Sequence, residues 1–175
     1  MKIKLLLLLA AAILAGGVVS GCGYRIGSSL MHPQIKTIGI PPPVNDTNVY
    51  NLSALLRGQL SEQFMVDGSL KVVDPEKADC LIYCRVISVA FAQSTIRSYD
   101  ELNQIFVPNE WTATITIEFS VVLPGRKEPL VKTRTVTGSA AFQSPSDMET
   151  TRSRGVSRAS RQAAISIVEF TTEAW

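Results

Sequence analysis

The strictest alternation in the chain runs from Trp111 to Leu123. Trp111, Ala113, Ile115, Ile117, Phe119, Val121 and Leu123 are apolar, and Thr112, Thr114, Thr116, Glu118 and Ser120 lie between them. A period of two predicts a strand with one packed face and one polar face. Two further long strands flank it. In the one over 78–94, Cys80, Ile82, Cys84, Val86, Ala90 and Ala92 share one face. Leu81, Tyr83, Ile87, Val89 and Phe91 share the other, so both faces are expected to be partly covered. The strand over 130–142 sets Thr133, Thr135 and Thr137 against Lys132, Arg134 and Val136. Faces this indistinct suit an edge strand or one that meets a partner. Pro124-Gly125, followed by Arg126-Lys127-Glu128, marks a polar turn between the last two strands.

A period of three to four appears twice. Leu52, Leu55, Leu56, Leu60 and Phe64 form one stripe of a helix over 51–66, which Asp67-Gly68 stops with glycine in the left-handed cap position. Val156, Ala159, Ala163, Ile167 and Phe170 form the stripe of a closing helix after Ser144-Pro145. Ser146 and Glu149 fit a capping box there. Arg154, Arg158 and Arg161 occupy another face of that helix. A short strand over 35–40 ends at Pro41-Pro42-Pro43, which cannot donate ladder hydrogen bonds. Residues 44–49 read as a turn-rich connection, 70–73 as a short strand, and Asp100-Glu101 as part of a loop. This order predicts an α/β two-layer sandwich, with two helices on one face of a mostly antiparallel or mixed sheet of four to five strands.

The N-terminus is of a different kind. Lys2 and Lys4 precede an apolar run of ten residues, Leu5 to Leu14, and then a small-residue stretch to Gly21. This is the layout of a secretory signal peptide, and the run is too short to span a membrane. Val19-Ser20-Gly21-Cys22 resembles a lipobox, in which the Cys22 thiol accepts diacylglycerol and cleavage follows at its amino side. Gly23, rather than Asp, follows the cysteine, which by the same resemblance implies delivery to the outer membrane. The chain then divides into a signal peptide over 1–21, a lipidated tether over 22–34 and a single domain over 35–175. Removing residues 1–21 takes two lysines and no acids, so 17 basic residues become 15 against 15 acidic. A neutral domain has no broad attraction for nucleic acid.

Chemistry is sparse in the remainder. Cys80 and Cys84, four apart on a strand, lie about 13 Å apart, beyond the reach of a disulfide. They read as buried thiols. The single histidine, His32, stands far from them, and no triad, metal-ligand set or nucleotide loop occurs. The expectation is a protein that is not an enzyme and holds no metal or cofactor beyond the lipid on Cys22.

Cys22-Gly23-Tyr24-Arg25 with Gly27, then Ile38-Gly39-Ile40-Pro41, Asn45 and Thr47, then Ala78-Asp79-Cys80-Leu81-Ile82, occur in that order. With the long strands and the Ala-rich closing helix, they resemble the LptE family of lipopolysaccharide-assembly lipoproteins. The resemblance implies an outer-membrane lipoprotein on the periplasmic side. It implies a role as plug and assembly partner of an LptD β-barrel, with lipopolysaccharide as a further contact. Phosphates of lipopolysaccharide would suit Arg97, placed in a loop after the long strand, Arg126 and Lys127 at the hairpin tip, and Lys132 and Arg134. A different reading is a periplasmic lipoprotein scaffold or activator docked on another envelope complex. A lipid-anchored hydrolase would need activity in the purified protein.

Overall fold

The computed structural model describes residues 34–93, 97–100, 105–108, 110–143 and 148–172. Cys22, the leader, most of the tether and Ser146 of the expected capping box lie outside the described residues. In chain order the elements are β1 (Thr37–Gly39), β2 (Val44–Asn45), α1 (Leu52–Asp67), β3 (Lys71–Val73), β4 (Cys80–Gln93), β5 (Arg97–Asp100), β6 (Ile105–Pro108), β7 (Glu110–Val122), β8 (Val131–Gln143) and α2 (Met148–Thr172).

Five strands run β3-β1-β4-β7-β8 across one sheet, and β2 joins it by pairing with β4. β3, β1, β2 and β4 are mutually parallel where they pair, while β4, β7 and β8 are antiparallel. The sheet is therefore mixed, as expected, and β8 is its edge. β1 and β2 occupy the same side of β4, with Ile38 opposite Cys80 and Val44 opposite Arg85. Pro41-Pro42-Pro43 separates them because three residues without N–H donors cannot continue the ladder. The connection expected over 44–49 thus begins as a short strand.

The alternation of β7 is realised fully: Ala113, Ile115, Ile117, Phe119 and Val121 are buried and the residues between them are half-buried. β4 departs from expectation. Val86 pairs with Ile117, but the next pair is Ser88 with Thr116, leaving Ile87 as an extra residue. A bulge of this kind moves every later side chain to the opposite face. Hence Val89 and Phe91 pack on the core, whereas Ala90 and Ala92 are turned away from it. The outward face of β4 is also not covered, for Tyr83 is 48% and Ile87 41% exposed.

Both helices lie on one side. Leu52, Leu56, Leu60 and Phe64 of α1 are buried, and Gly68 ends the helix at φ 72° with its N–H on the Phe64 carbonyl. α2 runs antiparallel to β8 directly above it. Gly155 meets Phe142 at one end and Phe170 meets Arg134 at the other. Midway, a Cβ on Gly138 would collide with the Ala159 carbonyl and come within 2.6 Å of the Ala163 nitrogen. Arg161 ties the helices together with a 3.1 Å bond to Glu62 and another to Gln59. Half-exposed pairs of this type contribute about 0–1 kcal/mol, so apolar burial carries the layer contact. Ser160, Thr171 and Thr172 are buried polar residues of α2, and each hydroxyl donates to the carbonyl four residues back.

The motif residues quoted above turn out to be fastenings of the fold. A Cβ on Gly39 would stand 2.7 Å from both Leu81 and Pro75, so only glycine lets β1 lie against the β4 entry. Asn45 accepts from the Thr47 N–H and hydroxyl and donates to the Val49 carbonyl, closing the turn after β2. Asp79 accepts from the backbone N–H of Lys36 at 3.0 Å and of Thr37 at 2.9 Å. Its own N–H donates to the Thr37 hydroxyl.

The Lys36 bond first, then the Thr37 hydroxyl and backbone, hold the Asp79 carboxyl below its ordinary value of 3.8. A depressed carboxyl stabilises the fold above the unfolded pKa, and that contribution is lost as pH falls through the folded pKa. Asp79→Ala is therefore expected to melt lower than wild type at neutral pH. The gap should stay constant down to about pH 4 and close below it. Thermal melts across that range check this; a gap that persists unchanged in acid would contradict it.

Candidate functional site: the uncovered face of the sheet

Turning the odd-numbered positions of β7 toward the helices turns its even-numbered ones away from them. Register then aligns those positions with their neighbours in rows. Ala90, Thr114 and Ser139 form one row, Ser88, Thr116 and Thr137 the next, and Arg85, Glu118 and Thr135 a third. Ala92 with Thr112 and Ala141, and Tyr83 with Ser120, extend the surface at its two ends. No described helix lies on this face; both α1 and α2 pack on the other. The result is a field made largely of short hydroxyl side chains on a platform of three paired strands. Hydroxyls both donate and accept, so this face can bond a polar partner surface of either kind without holding a net charge.

A depression of about 420 Å³ lies on this face near the start of β4, with Pro42, Val44, Tyr83, Arg85, Ser120 and Thr133 among its lining residues. Val44 and Tyr83 are about half exposed. Arg85 stands 3.7 Å from Asp46, both well exposed. An aromatic ring and an aliphatic side chain beside a solvent-exposed ion pair form an adhesive corner in a surface otherwise lined mostly by hydroxyls. β7's part of this face was legible as alternation. The depression was not, since it depends on β2 lying beside β4.

The five cations singled out by sequence do not converge. Arg126 and Lys127 are exposed in the β7–β8 turn, where the Arg126 N–H closes the turn on the Leu123 carbonyl. Lys132, exposed at the start of β8, is at the same end. Arg134 belongs to the helix side: its register partner is Phe119, and its guanidinium lies 5.3 Å from the Phe170 ring centre. That contact, about 0.5–1 kcal/mol when exposed, accounts for it structurally. Arg97 lies on strand β5, not in a loop, and only after the 14 residues of β4 have carried the chain to the opposite end of the sheet. β5 pairs antiparallel with β6, from Arg97 with Pro108 to Asp100 with Ile105. The stretch expected as loop is therefore a hairpin, and the β-rich run Ile105-Phe106-Val107 is the signal that marked it.

Cys80 and Cys84 are free and buried on the helix side of β4. Burial pushes their thiols up, to about 11 for Cys80 and about 12 for Cys84. Thiols so far from ionisation are poor nucleophiles at neutral pH, and they act here as small core residues. Among the described residues no group of three or more His, Cys, Asp or Glu side chains could hold a metal.

A family model described as lipopolysaccharide-assembly, LptE, matches residues 35–170. The chain belongs to the LptE family. LptE proteins are non-enzymatic, outer-membrane-associated lipoproteins of lipopolysaccharide assembly. No curated protein sequence matches this chain. Among solved structures, a protein from Xanthomonas campestris superposes with a TM-score of 0.54 at 14% identity, over 78% of this chain and 84% of that one. The PelC dodecamer from Paraburkholderia phytofirmans gives 0.52 at 10% identity, over 79% and 89%. Rare lipoprotein B from Shewanella oneidensis reaches 20% identity over 75% and 92%, with a TM-score of 0.40. The first two show that the LptE sandwich recurs at identities too low to carry function. Four of the residues that carry the family resemblance, Gly39, Asn45, Thr47 and Asp79, fasten β1, β2 and β4 here.

Proposed function

We propose that this LptE protein is anchored by lipid on Cys22 at the periplasmic side of the outer membrane. There it acts as plug and assembly partner of an LptD-type β-barrel. The observation that carries this reading is the hydroxyl-lined face of β4, β7 and β8, left without a helical cover. A barrel lumen is polar. A plug needs a surface that bonds such a wall without bringing buried charge to it, because desolvated unpaired charge is strongly unfavourable. Rows of threonine and serine meet that requirement, and the two charges of the face, Arg85 and Glu118, stand opposite each other in register.

The anchor is compatible with this placement. β1 enters the sheet beside the start of β4, at the same end as the Arg126–Lys127 turn. A tether over 22–34 reaches at most about 45 Å when extended, enough to let the sheet sit within a barrel while the lipid stays in the leaflet. Two or more acyl chains hold a protein stably where one does not.

Extraction in mild detergent is expected to copurify the chain with a large outer-membrane barrel. Cys22→Ser should lose metabolic incorporation of a clickable palmitate and leave the membrane fraction. A chain that extracts alone, or that crosslinks chiefly to a soluble periplasmic protein, would overturn the plug reading. A Cys22→Ser variant that still takes up label would overturn the anchor.

A further inference from the structure

The outer side of β8 is a sheet edge to which, among the described residues, no strand pairs over its whole length. Exposed edges are usually guarded by charge, proline or bulges. The first part of β8 has such guards: Lys132 and Arg134, with a register shift opposite Phe119 and Val121. From Thr135 to Gln143 there is no charge, no proline and no shift. Beside this bare stretch a groove of about 370 Å³ opens between Ala141–Gln143 and α2, with Phe142 buried at its floor. Arg154 and Arg158 form its helical rim, both exposed and, among the described residues, in no ion pair. Glu110 at the far wall is the one acid lining it.

We infer that β8 accepts an added strand there, an extended segment of a partner protein with acidic side chains at alternate positions. Side chains four apart on a helix are separated by about 6 Å along its axis, and alternate side chains on a strand by about 6.6 Å. Two acids at positions i and i+2 therefore match Arg154 and Arg158, while the backbone pairs with β8 as in strand-addition complexes. A second copy of this chain does not fit. α2 sits directly over β8, its backbone against Gly138. Pairing two β8 strands at about 4.8 Å would bring two such helices far inside the 8–10 Å that packed helices need. The occupant is thus a segment without a helix on that side. This inference does not depend on the barrel partnership.

The test uses the full chain in detergent and labelled nine-residue probes, a Thr/Val peptide with Glu at its fourth and sixth positions and the same peptide with Lys there. Fluorescence anisotropy should show the Glu probe binding about tenfold or more tightly than the Lys probe. Arg154→Glu with Arg158→Glu, both exposed and so compatible with the fold, should reverse that order. Probes with N-methylated backbone at alternate residues should lose binding in one of the two possible phases. Equal binding of Glu and Lys probes, no binding of the Glu probe at millimolar concentration, or full binding in both N-methylated phases would overturn the inference. So would a dimer of the wild-type chain that buries this edge.

Discussion

Gly138→Val is expected to destabilise the protein more than any other single change considered, by about 3 kcal/mol or more. Large-for-small changes in a packed site usually cost 1–3 kcal/mol. That range assumes that side chains can move aside. At Gly138 the obstacles are the Ala159 carbonyl and the Ala163 nitrogen, which are backbone atoms of α2. They can retreat only if the helix lifts from β8, and lifting it uncovers Val156, Ala159, Ala163 and Ile167. For a domain of this size 1 kcal/mol shifts the melting temperature by roughly 2–4 °C, so a fall of about 6–12 °C or more should be seen. Gly138→Ala should lie between, since even one Cβ meets the same atoms. Adding Ala163→Gly should recover little, because the carbonyl obstacle remains. A Gly138→Val variant that melts within a degree or two of wild type would show that α2 does not lie against β8 as described.

The second large effect should appear in partnership, not in stability. Thr116 and Thr137 stand opposite each other in register on the uncovered face. Thr116→Glu with Thr137→Glu sets two like charges side by side, a mild destabilisation on a solvated sheet face. Against a barrel wall the same charges would have to be desolvated without a partner, and truncating or unpairing a buried charge commonly costs 2–5 kcal/mol. At about 1.4 kcal/mol per tenfold, recovery of the barrel complex should fall at least tenfold. The melting temperature should move only a few degrees. Ala54→Glu with Met65→Glu, both on exposed positions of α1, should leave recovery unchanged. If the α1 pair breaks the complex and the sheet pair does not, the barrel meets the helical layer and the assignment of the face is wrong.

These two variants probe opposite sides of one strand pair. The side toward the helices is constrained by atoms in contact, so its tolerance is read in melting. The side away from them has no helix packed on it among the described residues, so its tolerance is read mainly when a partner is present.

How much of this could be read along the chain depended on whether the determining interactions were local. β7 was legible because its alternation is unbroken and one face is buried along its whole length. α1 was legible because Leu52, Leu56, Leu60 and Phe64 repeat at the helical period and Gly68 supplies the positive φ at its end. The two-layer arrangement followed, since two such helices and a half-polar sheet have few other ways to bury their apolar faces. β4 was misread beyond Val86. A bulge is decided by the partner strand: it is Thr116 taking Ser88, with Ile87 left over, that reverses the faces of Ala90 and Phe91. The larger residues at Val89 and Phe91 hinted at it, but spacing alone did not separate them from the first face.

The sequence by itself carries the expectation of a secretory leader and an acylated cysteine, and it determined the period of each long element and the resemblance to LptE, because each is a property of neighbours along the chain. Tertiary structure alone decided which cations belong together, that Arg134 is held over Phe170, and that Asp79 clamps β1. It also decided that β2 forms the corner beside Tyr83 and that the rows of hydroxyls lie side by side. Those facts rest on contacts between residues tens of positions apart, and strand order and register, not composition, set such distances.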